Sequence, residues 1–86
     1  MKPTTEKNAF LSLLKTKKTV SYVGIGLKAN LTVIEPKNSK RAYSMDYWHK
    51  IGNKWVKFSN IVSYFLSDIV KDFKEMAVIY EPNKIN

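Results

Sequence analysis

RAYSMDYWHKIGNKWVKF, residues 41–58, decides the fold. Apolar and polar side chains alternate along it with the two-residue period of a strand. Gly52-Asn53 interrupts the run, and glycine at the first central position suits a type II′ turn. Closing a hairpin there sets Ile51 against Lys54, His49 against Val56 and Tyr47 against Phe58. One face then carries Tyr43, Met45, Tyr47, Ile51, Val56 and Phe58 and is expected to be core. The other carries Ser44, Asp46, Trp48, Lys50, Trp55 and Lys57.

Upstream, residues 19–35 are also rich in β-branched and aromatic side chains and are interrupted by Gly24 and Gly26. A turn at Ile25-Gly26 puts Val20, Tyr22, Leu27, Ala29, Leu31 and Val33 on one face, and Ser21, Val23, Lys28, Asn30 and Thr32 on the other. A turn at Ala29-Asn30 is the alternative. Residues 36–40 have loop composition.

Helices flank the two hairpins. Residues 4–16 predict a short amphipathic helix capped by Thr4 or Thr5, with Phe10, Leu13 and Leu14 on its apolar face. A second helix is expected from a Ser59 or Asn60 cap to about Glu75, with Val62, Phe65, Leu66, Ile69 and Phe73 as its stripe. Met76 to Glu81 reads as a further short strand or extended arm, and residues 1–3 and 82–86 as frayed ends. The fold class is α+β in one domain, residues 1–86. It comprises an N-terminal helix, about four antiparallel strands from two hairpins, a C-terminal helix packed on the sheet and a short extended tail.

The 86 residues carry a net charge of +8, and fourteen of the fifteen basic residues are lysine. Such an excess points to a polyanion partner, most often nucleic acid. Lysine is a point charge for phosphates, whereas arginine reads guanine bidentately, so binding through Arg41 and many lysines should be sequence-tolerant. No cysteine is present, which excludes disulfides and thiol chemistry. No apolar run is long enough to span a bilayer, and a cytoplasmic location is expected, in the host cytoplasm if the protein is viral.

Catalysis has little support, and the chain is not expected to be an enzyme or to need a cofactor or metal. The one histidine, His49, falls on the core-side face, away from Asp46. Asp68 and Asp72 share a helical face with Lys71 and Lys74 beside them, the pattern of a solvated surface. Gly24-x-Gly26 lacks the rest of a dinucleotide fingerprint.

The Trp face of the second hairpin is the better candidate. Trp48 opposes Lys57 and Lys50 opposes Trp55, so two indoles and two ammonium groups alternate on one sheet face. Aromatic rings offer bases a sequence-tolerant stacking surface, and lysines attract the flanking phosphates. Trp48, Lys50, Trp55 and Lys57, with Lys28 and Arg41, are the expected nucleic-acid contacts. The same Trp–Lys pairs are also ordinary sheet stabilisers.

Met45-Asp46-Tyr47-Trp48, residues 53–59 and the helix expected over residues 60–74 together resemble the Whirly and transcriptional-positive-coactivator group of single-stranded DNA-binding domains. The resemblance covers about a third of the chain. The family's glycine-rich basic turn is absent, and only Gly52 stands in its place. The resemblance implies curved antiparallel strands followed by a helix, a sheet that binds single strands, and a homodimer. A role in replication or recombination, of phage or mobile-element type, follows as the leading expectation, with single-stranded DNA favoured over RNA. The alternative is a small phage-type regulator that binds a host protein through its aromatic, basic face, because Trp, Tyr and Met also make protein hot spots. Duplex reading by the first helix is the weakest option, since that helix lacks polar residues to meet bases.

Overall fold

The computed structural model describes residues 2–38 and 40–81. The elements are α1 (Lys7–Leu14), β1 (Val20–Val23), β2 (Leu27–Ile34), β3 (Ala42–Ile51), β4 (Lys54–Ser63) and α2 (Leu66–Tyr80). The strands form one antiparallel sheet in the order β1-β2-β3-β4, and both helices pack on the same face of it. This is the α+β arrangement that the two hairpins and flanking apolar stripes predict.

The first hairpin turns at Ile25-Gly26, because Val23 pairs with Lys28 and the Gly24 N–H donates to the Leu27 carbonyl at 2.8 Å. Val20, Tyr22, Leu27, Ala29 and Leu31 are buried together, as the period-two split predicts. The second hairpin turns at Gly52-Asn53. Gly52 has φ 61°, the left-handed first position of a type II′ turn. Ile51 pairs with Lys54, Lys50 with Trp55, His49 with Val56 and Trp48 with Lys57.

Beyond that point the register shifts. Tyr47 pairs with Ser59, so Phe58 is an extra residue on β4 and the expected Tyr47–Phe58 pairing is corrected by a β-bulge. Phe58 still turns to the helix side, its ring 6.2 Å from Tyr47 and 4.7 Å from Tyr80. The bulge inverts the parity of the rest of the strand. Ile61 packs against the core, while Val62 is 57% exposed.

Four expectations about the helices change. Neither Thr4 nor Thr5 caps α1, whose N-cap position is Glu6, and Thr4 has another role. It continues the sheet edge instead, pairing in parallel with Tyr22 through Thr4 N–H to the Ser21 carbonyl and Val23 N–H to the Thr4 carbonyl, both 2.9 Å. α2 starts at Leu66 rather than after Ser59 or Asn60, because β-branched Ile61 and Val62 extend the ladder with β3. A serine does organise the helix entry, but it is Ser63, whose Oγ accepts from the Phe65 N–H at 3.0 Å and donates to Asp68 at 2.7 Å. Phe65, expected in the apolar stripe, is 65% exposed. Met76 to Tyr80 is helix rather than an extended arm, because the buried series Ile69, Phe73, Ala77 keeps its four-residue step. The expected tail, residues 82–86, lies outside the described residues.

Ile51 and Val56 stand on the helix side of the sheet but are 56% and 40% exposed, so they are not core. The reason is length. Ten-residue strands reach ~33 Å, whereas the fifteen residues of α2 span ~22 Å. The tip of the β3–β4 hairpin overhangs the helices, and the molecule measures 42 × 24 × 24 Å.

The buried Glu81, directly after α2, closes the fold. Its carboxylate accepts from the Tyr22 hydroxyl at 2.5 Å, the Gly26 N–H at 2.8 Å and the Leu27 N–H at 3.3 Å, with the Lys7 ammonium at 4.0 Å. A carboxylate at a helix C-terminus opposes the helix dipole by under ~1 kcal/mol, while each charge-assisted hydrogen bond contributes ~1.5–3 kcal/mol, so the bonds win. Burial pushes the Glu81 carboxyl up, and the Tyr22, Gly26 and Leu27 hydrogen bonds with Lys7 bring it below its usual range. Burial, then the Glu81 contact, raises the Tyr22 hydroxyl well above its usual range. The glycines make room for this cluster. A Cβ on Gly24 would stand 2.2 Å from a Glu81 oxygen, and one on Gly26 would stand 2.9 Å from the Tyr80 carbonyl.

Two outcomes test this description. Ile69→Asp should unfold the domain, because an unpaired carboxylate in the core costs several kcal/mol, whereas Phe65→Ala should change stability by less than ~1 kcal/mol. Thermal melts of both variants check the pair. A strongly destabilised Phe65→Ala would return that ring to the core. The second outcome concerns pH. The Glu81 pKa is lower folded than unfolded, so its contribution is fully present above the unfolded value of ~4.3 and is lost as pH falls through the folded value. Glu81→Gln should therefore melt lower than the native chain at neutral pH, with the gap narrowing below about pH 4. A gap that stays constant with pH would mean that the charge is not what holds the turn.

Candidate functional site

The sheet face away from the helices is arranged in cross-strand rows. Val23, Lys28, Trp48 and Lys57 form one row, and Lys50 and Trp55 form the next toward the hairpin tip. Ser21, Asn30, Asp46 and Asn60 form the row on the opposite side. The period-two pattern and the Gly52 turn place these side chains, and both indoles are half-buried by their neighbours.

The Lys28 ammonium bridges the two rings, 5.0 Å from the Trp48 centroid and 6.0 Å from that of Trp55. Lys50 lies 5.4 Å from Trp55, and Lys57 lies 5.9 Å from Trp48. All four distances fall within the ~6 Å reach of a cation–π contact. Trp48 and Trp55 are diagonal neighbours across the ladder, which sets their backbones roughly 7–8 Å apart. The result is a shallow aromatic surface with cations between and beside the rings.

One acid stands at its border. Asp46 accepts from Lys57 at 3.1 Å and from Asn60 Nδ2 at 2.7 Å, and the same Asn60 amide reaches Ser44 Oγ at 2.9 Å. Asn60 stands just past the bulge, so this network ties the shifted half of β4 to β3. Lys57 is thus partly neutralised, while Lys28 and Lys50 make no ion pair among the described residues.

The structure thereby brings together five of the six expected contact residues: Lys28, Trp48, Lys50, Trp55 and Lys57. It separates Arg41, which precedes β3 and pairs with Glu35. Seven residues of strand set Arg41 ~23 Å from Trp48. Nothing in the sequence pattern revealed the Asp46–Asn60 network, because the bulge that aligns those residues has no signature in the alternation.

The remaining polar candidates do other work. His49 is half-buried on the helix side, its ring 4.8 Å from Phe58 and 5.6 Å from Tyr80. Asp68 bonds Ser63, and Asp72 lies beside the buried Tyr47 hydroxyl, so they do not converge. Burial, then Asp72, drives the Tyr47 pKa far above its usual range. Among the described residues, no group of three or more His, Cys, Asp or Glu could hold a metal ion. No helix of the described residues is long and apolar enough to cross a membrane.

Comparison of the chain with protein-family models, with curated proteins and with solved structures finds no match.

A stability measurement checks that the rings are not core. Trp48→Ala and Trp55→Ala should each cost about 1 kcal/mol or less, the size of a cross-strand pair with its cation–π contact. Tyr47→Ala, on the buried face, should cost ~3–5 kcal/mol. Equal losses on both faces in urea melts would contradict the assignment of faces.

Proposed function

We propose that the chain binds single-stranded nucleic acid, DNA in the first instance, by stacking unpaired bases on Trp48 and Trp55 while Lys28, Lys50 and Lys57 meet the phosphates. The observation that carries the reading is the pair of half-buried indoles interleaved with three lysines on the sheet face opposite α1 and α2. Stacked rings accept any base, and lysines accept any phosphate, so the binding is sequence-tolerant. Unpaired bases suit this surface, because bases in a duplex are already stacked on one another. The resemblance to the Whirly group rests on the same hairpin and supports single-strand binding; the role proposed for that binding is in replication or recombination, of phage or mobile-element type, in the cytoplasm. The activity is binding and not catalysis. In the dimer that this resemblance implies, the β4 edge is the side on which a second copy extends the face, since Thr4 already occupies the β1 edge.

A second reading draws on exposed Ile51 and Val56 at the overhanging tip, which would let the same hairpin dock on a protein. Fluorescence anisotropy with labelled oligo-dT, oligo-rU and a duplex separates the two. On the leading reading, oligo-dT binds more tightly than the duplex. Its log–log salt slope should lie near about −2 if three lysines each displace ~0.7 of a counterion. Trp48→Ala and Trp55→Ala should each weaken binding about tenfold or more, the loss of ~1–3 kcal/mol of stacking. Binding that ignores both tryptophans, or no binding at low salt, would leave the protein-docking reading in its place.

A further inference from the structure

On the opposite side of the molecule, α1 and α2 run antiparallel and leave a groove between them. Lys7 and Leu11 line one depression with Lys74 and Val78, about 350 Å³. Lys15 lines a second with Val70 and Lys74, about 560 Å³. Lys7, Leu11 and Lys15 are spaced four apart, and so are Val70, Lys74 and Val78. Each wall is thus a helical ladder in which basic and apolar side chains alternate. The walls extend ~12 Å, between two and three helical turns.

Two features set this groove apart from ordinary helix surface. Val78, which lines the first depression, is 69% exposed, and the next residue on α2, Ile79, is 63% exposed just outside it. Adjoining large apolar side chains left to water mark a contact surface more often than scattered ones do. The charge beside them is also one-sided. Lys15, Lys71 and Lys74 make no ion pair among the described residues. The acids that border the depressions are Glu75 and Glu81, and Glu81 is committed to Tyr22 and the Gly26 turn.

We propose that this groove docks an acidic amphipathic helix of a partner protein. Its apolar residues would seat on Leu11, Val70 and Val78, and its carboxylates would pair with Lys15 and Lys74. The charge complementarity selects an acidic occupant, and the four-residue ladders select a helical one. The site is separate from the tryptophan face, so a partner held here leaves the open sheet face accessible.

The test uses the full chain and a synthetic peptide of roughly three helical turns, with leucines four apart and glutamates between them. Amide shifts in a heteronuclear titration should concentrate at Leu11, Val70, Lys74 and Val78. Lys74→Glu, which turns an attraction to the glutamates into a repulsion at an exposed position, should weaken the peptide about tenfold and leave oligo-dT binding within about twofold. Val78→Ser, at an exposed position, should weaken the peptide while leaving the melting temperature unchanged. A peptide with lysines in place of the glutamates should not bind. Equal binding of both peptides would overturn the proposal. Oligo-dT binding lost together with peptide binding in Lys74→Glu would also overturn it, by making the groove part of the nucleic-acid surface. So would Lys74-dependent binding to phosphatidylserine vesicles without peptide binding, which would make the groove a membrane contact.

Discussion

Burial of one face of the sheet beneath both helices is the constraint from which the other features follow. The described residues form one short and one longer helix, and Phe10, Leu14, Ile69, Phe73 and Ala77 all point to the same side of the four strands. The residues that meet them, from Tyr22 to Tyr47, are fixed by packing, since losing a large buried side chain costs a substantial part of a small domain's stability. No such demand acts on the opposite face. Two indoles there are not needed to fill a core, and water gains nothing from them. Beside Lys28, Lys50 and Lys57 they give the sheet the modest stability of Trp–Lys pairs, and they form the stacking surface on which the proposed function rests.

Two local devices keep that surface in shape. The bulge at Phe58 lets one long strand place Trp55 and Lys57 on the open face near its start and Asn60 on the same face further along. Without the extra residue, the second half of β4 would present Ile61 to water and Val62 to the core. The Glu81 carboxylate acts on the β1–β2 side of the sheet, drawing the Gly24–Gly26 turn, Tyr22 and Lys7 onto the end of α2. It fixes the first hairpin, which carries Lys28, through hydrogen bonds to backbone as well as to side chain.

The parts of this structure that were legible in the sequence are those governed by alternation and turn chemistry. The Gly52-Asn53 and Ile25-Gly26 turns, the register up to Trp48–Lys57 and the grouping of Trp48, Lys50, Trp55, Lys57 and Lys28 all follow from period two. The rest depends on contacts between distant residues. A bulge shifts register without altering composition, and the helical spacing of Val62 and Phe65 with Ile69 and Phe73 does not show that β4 runs on to Ser63 and that α2 starts only at Leu66. The β-branched and aromatic run from Val78 to Tyr80 favours a strand locally, but Ala77 and Tyr80 continue the helical stripe of Ile69 and Phe73, and tertiary packing decides. Glu81 lies 59 residues from Tyr22, and no local pattern pairs them. By composition Arg41 is one more cation of the hairpin, yet strand length carries it away from the rings and Glu35 neutralises it.

The most direct test of the account is a titration of isotopically labelled protein with unlabelled oligo-dT, following the two indole N–H signals and the backbone amides. If the open face is the binding surface, both indole signals shift together with the amides of Lys28, Trp48, Lys50, Trp55 and Lys57, and those of α2 stay in place. Shifts confined to α1 and α2, with the indoles unmoved at saturation, would contradict it.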